Sequence, residues 1–184
     1  MDQEILVFGA SNSQESINSR FAQFTAKKLS QVKLNIVRLN DFELPIYSVD
    51  LENESGIPEN ATKFFDLIKK ADGIVASFAE HNGLYTSAFK NLWDWMSRIP
   101  MEKKFNVWQN KPILLLSASP SSRRENNVVK ISKELFPHFG ANIITTFYLH
   151  SFYQNFRDNR IMDNVLEMEF NKHVEIFQKH INTI

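Results

Sequence analysis

Short apolar runs alternate with longer amphipathic stretches along the chain. Ile5-Leu6-Val7-Phe8 predicts a first strand, and Ile17, Phe21 and Phe24 then recur at helical spacing between Ser16 and Leu29. Leu34 to Leu39 predicts a second strand, followed by an irregular stretch around Pro45 and Gly56. Pro58 opens a helix that sets Ala61, Phe64, Phe65 and Ile68 on one face. Gly73 to Phe78 is a third strand, and Ser87 to Arg98 a helix stopped by Pro100. Ile113 to Leu116 reads as a fully buried fourth strand. Asn127 to Phe139 is a helix ended by Gly140, with Pro137 in its last turn. Asn142 to Phe147 is the fifth strand, and Asp163 to Asn182 a final helix with Phe170, Val174, Phe177 and Ile181 on a stripe.

Five strands alternating with five helices predict an α/β fold, a five-stranded parallel sheet with helices on both faces. No repeat, linker or low-complexity tract interrupts the pattern, so residues 1–184 read as a single domain. In such sheets ligands bind beyond the carboxyl ends of the strands, where strand order reverses. The loops after Phe8, Phe78 and Leu116 are therefore where chemistry is expected.

Composition narrows the class. Lys+Arg 21 balances Asp+Glu 21, which argues against a nucleic-acid binder or an anionic-membrane binder. The chain has no cysteine, so disulfides, thiolate metal sites and cysteine nucleophiles are excluded. The absence of cysteine fits a reducing cytoplasm. With no basic n-region and no apolar run near the roughly 18 residues of a membrane span, a soluble cytoplasmic protein is expected. Aromatics supply 12% of the chain, 16 of them Phe, a density that serves cores, interfaces or flat aromatic ligands.

The first loop, Gly9 to Asn18, runs into a helix and carries Ser11, Asn12, Ser13, Ser16 and Asn18. A helix N-terminus offers unpaired amides and partial positive charge, so hydroxyl donors around it suit a phosphate without a lysine. Alternatively, Ser16 only caps the helix. The loop lacks the Gly-Lys-Ser/Thr of a P-loop and the later glycines of a dinucleotide fingerprint. In the second loop, Glu80-His81-Asn82-Gly83, Asn-Gly signals a turn. Glu80 and His81 are either an acid/base pair or polar residues at the sheet edge. On the following helix Leu92, Trp95, Met96 and Ile99 face the core, while Phe89 and Trp93 are either buried or part of a dimer contact. The third loop, Ser117 to Arg124, has small residues that admit a planar ring, with Arg123 and Arg124 either pairing with a phosphate or solvated.

These residues together resemble the NADPH-dependent FMN reductase family of flavodoxin-like proteins, which includes quinone, chromate and azo reductases. The match spans roughly residues 4 to 150. It is strongest at Glu80-His81-Asn82-Gly83 and in the helix carrying Lys90-Asn91 and Asp94-Trp95, where the family has Pro-Glu-Tyr-Asn-Gly and Lys-Asn-x-x-Asp-Trp. Ser11, Ser16 and Asn18 match the family's first loop. The chain departs from the pattern with Ala10 for Gly, Ser13 for Arg, Ala79 for Pro and His81 for Tyr.

The resemblance implies a flavodoxin-like sandwich binding FMN, with Ser11, Ser13, Ser16, Ile17 and Asn18 around the phosphate. It places Glu80, His81, Asn82 and Gly83 at the edge of the isoalloxazine, and Ser117 and Ser119 near the ribityl chain or the ring's other rim. NADPH or NADH would supply hydride, a small-molecule acceptor would receive two electrons, and no single catalytic side chain or metal is expected. A homodimer or homotetramer is implied, with Phe89, Trp93, Phe147-Tyr148 and Phe152-Tyr153 as candidates for the contact. Two other readings share the sequence evidence. One is a flavodoxin-type one-electron carrier, which neutral charge disfavours; the other is a non-enzymatic α/β binding domain.

Overall fold

The computed structural model describes residues 3–101 and 105–184. Its centre is a five-stranded sheet of β1 (Gln3–Ala10), β2 (Val32–Ile36), β3 (Gly73–Phe78), β6 (Pro112–Ala118) and β7 (Asn142–Leu149), in the order β2-β1-β3-β6-β7. Every pairing is parallel. The chain winds outward from β1 in one direction to β2, then restarts at β3 in the other. The reversal opens a crevice between β1 and β3 at their carboxyl ends.

Strand periodicity splits the core in two. Ile5, Val7, Val75, Leu114 and Leu116 face one layer, built by α1 (Ile17–Ala26) and α7 (Asn164–Ile181) through Phe21, Ala22, Phe170, Val174 and Phe177. Leu6, Phe8, Ile74, Phe78 and Leu115 face the other, covered by α3 (Glu59–Lys70), α4 (Ser87–Met96) and α5 (Asn127–Leu135). Each layer holds its own aromatic cluster. Phe21, Phe24, Phe147, Phe156 and Phe170 meet on the first side. Phe78, Tyr85, Phe89, Trp93, Trp108 and Phe136 meet on the second. The phenylalanine excess is therefore mainly core.

That burial corrects the expected subunit contact. Phe89, Trp93, Phe147 and Phe152 are all at most 5% exposed within one chain, so their side chains cannot reach a second subunit. At 100° per residue Phe89, Leu92, Trp93 and Met96 share one helical stripe, and Phe136 and Phe139 close over Phe89 and Trp93. Of the candidates, only Tyr148 and Tyr153 keep appreciable exposure.

The expected elements are present, with shifted ends. The fifth helix stops at Leu135 and tightens into a 3-10 turn at Phe136–Phe139, since Pro137 has no N–H to give. The stretch around Pro45 holds a 3-10 turn (Leu39–Phe42) and a short helix, α2 (Val49–Ser55), capped by Ser48. None of α2's residues is buried, so it has no apolar stripe to betray it. Two small hairpins complete the chain: β4 (Glu80–His81) with β5 (Leu84–Tyr85), and β8 (Phe156–Arg157) with β9 (Arg160–Ile161), the latter following the short α6 (Phe152–Asn155). Among the described residues no helix is long and apolar enough to cross a membrane.

Candidate functional site

At the carboxyl ends of β1, β3 and β6 lies a cavity of about 340 Å³, within the roughly 300–1,000 Å³ typical of small-molecule sites. The first loop forms its floor. Ser16 caps α1, its Oγ accepting from the Ser19 amide at 3.1 Å, and Ser11 Oγ accepts from the Ser13 amide at 3.2 Å. Each hydroxyl keeps an O–H to donate. The amides of Ile17 and Asn18 open the helix and have no partner within it, and no acidic residue sits in that first turn. Gly9 lets α1 approach this closely, because a Cβ there would lie 2.4 Å from the Ser19 nitrogen.

Ser11, Ser13, Ser16, Ile17, Asn18, Glu80, His81 and Ser119 all line this cavity, so eight of the eleven expected site residues converge. Asn82, Gly83 and Ser117 do not. Asn82 and Gly83 are the corner of the β4–β5 hairpin, with φ of 53° and 81°, the pair of positive values that an Asn-Gly type I′ turn requires. Ser117 points inward, fully buried, and donates to the Phe78 carbonyl at 2.7 Å.

Asn18 has a different task from the one expected of its side chain. It is 2% exposed. Its Nδ2 donates to the Ala118 carbonyl at 3.0 Å, while Oδ1 accepts from the Ala118 amide and the Ser77 hydroxyl, both at 2.8 Å. One carboxamide thus pins the head of α1 to β6 and β3. Thr86 does the same from the far side. It caps α4 and donates to the Ala10 carbonyl at 3.0 Å.

Glu80 is not paired with His81. Its carboxylate accepts from the Asn127 amide at 2.8 Å and from Arg123 Nη2 at 3.3 Å, at the positive end of α5. Arg123 is thereby committed to Glu80. Tyr85, on the opposite strand of the hairpin, shares a 2.8 Å hydrogen bond with Ser132. The hairpin is held along α5 at both points. Glu80→Gln, which keeps the shape but not the charge, is expected to cost about 1 kcal/mol in denaturant unfolding.

Burial pushes the Tyr85 phenol up to about 12, against a smaller opposing effect of Ser132. An acid whose folded value is raised keeps its proton while the unfolded chain loses its own. The stability it contributes is complete below about pH 10 and declines as pH rises toward about 12. Absorbance titration should show this tyrosine ionising last, and Tyr85→Phe should flatten the alkaline loss of stability.

Four lining residues were not foreseen, Glu15, Ala79, Ala118 and Pro120, while the fifth, Tyr153, belongs to the aromatic run expected at a subunit contact. Ala79, Ala118 and Pro120 make low walls against which a planar ring can lie. Tyr153, 62% exposed, arrives from beyond β7, and nothing local in the sequence links it to the crevice. Among the described residues no lysine or arginine lines the cavity, whereas Glu15 does. A phosphate there must be held by amides, hydroxyls and the α1 dipole. The donor set and the flat walls fit a flavin mononucleotide.

The helix motif following the second loop has structural work. Lys90 and Asp94 form an i,i+4 ion pair at 2.6 Å. Asn91 Oδ1 accepts from the Tyr47 amide at 2.8 Å, and Trp95 Nε1 donates to the Pro45 carbonyl at 2.8 Å. Together they hold the 44–47 segment beside α4, across a groove of about 560 Å³.

Comparison with known proteins agrees with this geometry. Quinone reductase of Escherichia coli (strain K12) is 29% identical over 105 residues, covering 56% of this chain and 53% of that protein. The chain thus spans about half the length of the curated quinone reductases it matches. Among solved structures, the flavoenzyme NAD(P)H:(acceptor) oxidoreductase of Paracoccus denitrificans superposes with a TM-score of 0.67 at 21% identity, covering 97% of this chain and 98% of that one. An FMN-dependent NADH-azoreductase from Bacillus anthracis, solved with FMN, gives 0.65 at 16% identity, covering 97% and 100%. At such identities these structures establish a shared fold. The model of the NADPH-dependent FMN reductase family matches residues 3–154, all three site loops included, and the chain belongs to that family.

Proposed function

We propose that the protein is an FMN-dependent NAD(P)H oxidoreductase that passes two electrons from a nicotinamide to a quinone, a flavin or a similar small acceptor. The observation that carries this reading is the cavity itself. An anion cradle at the head of α1 adjoins small-residue walls at the ends of β3 and β6, which is the shape of a phosphate joined to a flat ring. When bound, FMN supplies the hydride-accepting ring.

The residues of this chain bind and orient. The hydroxyls of Ser11, Ser13 and Ser16 and the amides of Ile17 and Asn18 would hold the phosphate. His81 and Ala79 would bound the ring on one side, Ala118, Ser119 and Pro120 on the other. Glu80 and Tyr85 would keep the hairpin at a set height above α5, and Asn82 and Gly83 would shape its turn. Ser117 and the Asn18 side chain would act only by bracing the strand ends. No side chain is assigned a proton-transfer role.

A dimer or tetramer fits the groove beside α4, which carries Ile46 at 85% exposure. A cytoplasmic setting fits a chain without cysteine, and zero net charge disfavours nucleic acid as a partner.

The test is direct. Apoprotein titrated into FMN should quench flavin fluorescence stoichiometrically, and the yellow complex should oxidise NADPH or NADH with a quinone as acceptor in parallel-line kinetics. Absence of quenching together with absence of NAD(P)H oxidation would overturn the reading.

A further inference from the structure

A loop that grips an anion through its amides binds best when its peptide planes are already turned the right way, because ordering them on binding costs affinity. In residues 11–16 the orientation is imposed from outside the loop. Asn40 Nδ2 donates to the Asn12 carbonyl at 2.7 Å, and Arg38 Nη2 donates to the Gln14 carbonyl at 3.3 Å. Both donors sit where the chain leaves β2. There, Val37 continues the sheet by donating to the Val7 carbonyl at 3.0 Å, and Leu39, between the two donors, is buried. The clasp is thus tied to the rigid part of the fold.

A trans peptide directs its C=O and the following N–H oppositely. Holding the Asn12 and Gln14 carbonyls on Asn40 and Arg38 therefore turns the amides of Ser13 and Glu15 to the side away from those donors. The Ser13 amide reaches Ser11 Oγ at 3.2 Å, and the Ser16 amide reaches the Ser13 carbonyl at 3.3 Å. With no cation among the described residues lining the cavity and Glu15 at its edge, amide geometry does what opposite charge does elsewhere.

We propose that Arg38 and Asn40 are positioning residues that preset the 11–16 loop for the flavin nucleotide's phosphate, acting through the Gln14 and Asn12 carbonyls without touching the phosphate. The proposal rests on the reading of the protein as an FMN enzyme. Riboflavin presents the same ring without a phosphate, so comparing the two ligands isolates the phosphate end.

Dissociation constants for FMN and for riboflavin would be measured by fluorescence quenching on wild-type apoprotein, Asn40→Ala, Arg38→Leu and the double variant, across a series of salt concentrations. The expected result is an FMN Kd raised about fivefold to tenfold in Asn40→Ala and somewhat less in Arg38→Leu. Riboflavin Kd should stay within about twofold, with the salt dependence of FMN binding unchanged. Equal weakening of both ligands would overturn the proposal in favour of a general packing role, and so would unaltered FMN affinity. Loss of salt dependence confined to Arg38→Leu would overturn it in favour of a direct charge on the phosphate. Wild-type protein that binds neither ligand would instead refute the flavin reading beneath it. Should Asn40→Ala fail to fold by thermal melting, Asn40→Leu, close in shape and uncharged, removes the donor and carries the same comparison.

Discussion

Gly9→Ala should destabilise the protein by about 3 kcal/mol, the upper end of what overpacking in a filled interior costs. At that cost the melting temperature of a chain this size falls by roughly 6–12 °C. The added methyl would lie 2.4 Å from the Ser19 nitrogen and 2.5 Å from its Cα. These are backbone atoms, so no side-chain rotation relieves the clash, and α1 itself must move. The helix resists, because Phe21, Ala22 and Ala26 are fully buried against the sheet. A shifted α1 carries the Ile17 and Asn18 amides with it, so FMN affinity should fall together with stability. Melting curves with and without FMN measure both; an unchanged melting temperature would show that α1 does not lie this close to β1.

Asn18→Ala should be of similar size, about 2–4 kcal/mol, for a different reason. It strands the Ala118 amide and carbonyl and the Ser77 hydroxyl, and each unsatisfied buried group costs about 1–3 kcal/mol, partly relieved by entering water. Ser16→Ala, which removes only a helix cap, should cost about 1 kcal/mol. The pair separates two roles within one loop. Ser16→Ala should weaken FMN binding in a protein of near-normal stability, whereas Asn18→Ala should lower the unfolding midpoint in the absence of any flavin. An Asn18→Ala protein as stable as wild type would mean that its three hydrogen bonds contribute nothing net.

The fold was largely legible from order and period. Continuous apolar strands such as Ile113 to Leu116 announced a sheet buried on both faces, and stripes such as Phe170, Val174, Phe177 and Ile181 announced the helices over it. The short helix Val49–Ser55 was not legible, because none of its residues is buried and its polar sequence has no stripe to read. Eight cavity residues could be named in advance because topology sets the three loops at the carboxyl ends of the strands, and the resemblance to the FMN reductase family picked residues within them. Tyr153 was legible only as one of the aromatics after the fifth strand, because the chain reaches the cavity again by folding back after β7.

Neighbouring positions encode the strand and helix periods, the Asn-Gly corner and the Ser16 cap, and the order of the elements tells which three loops gather at one edge of the sheet. The tertiary structure alone decided what each polar side chain is for. Asn18 meets a partner 100 residues away and turns from an expected ligand into a brace. Glu80 meets the head of α5 at a separation of 47 and turns from a candidate base into an anchor. Periodicity is a property of the local chain, whereas a hydrogen-bond partner is chosen by whichever distant strand or helix the sheet order brings within about 3 Å.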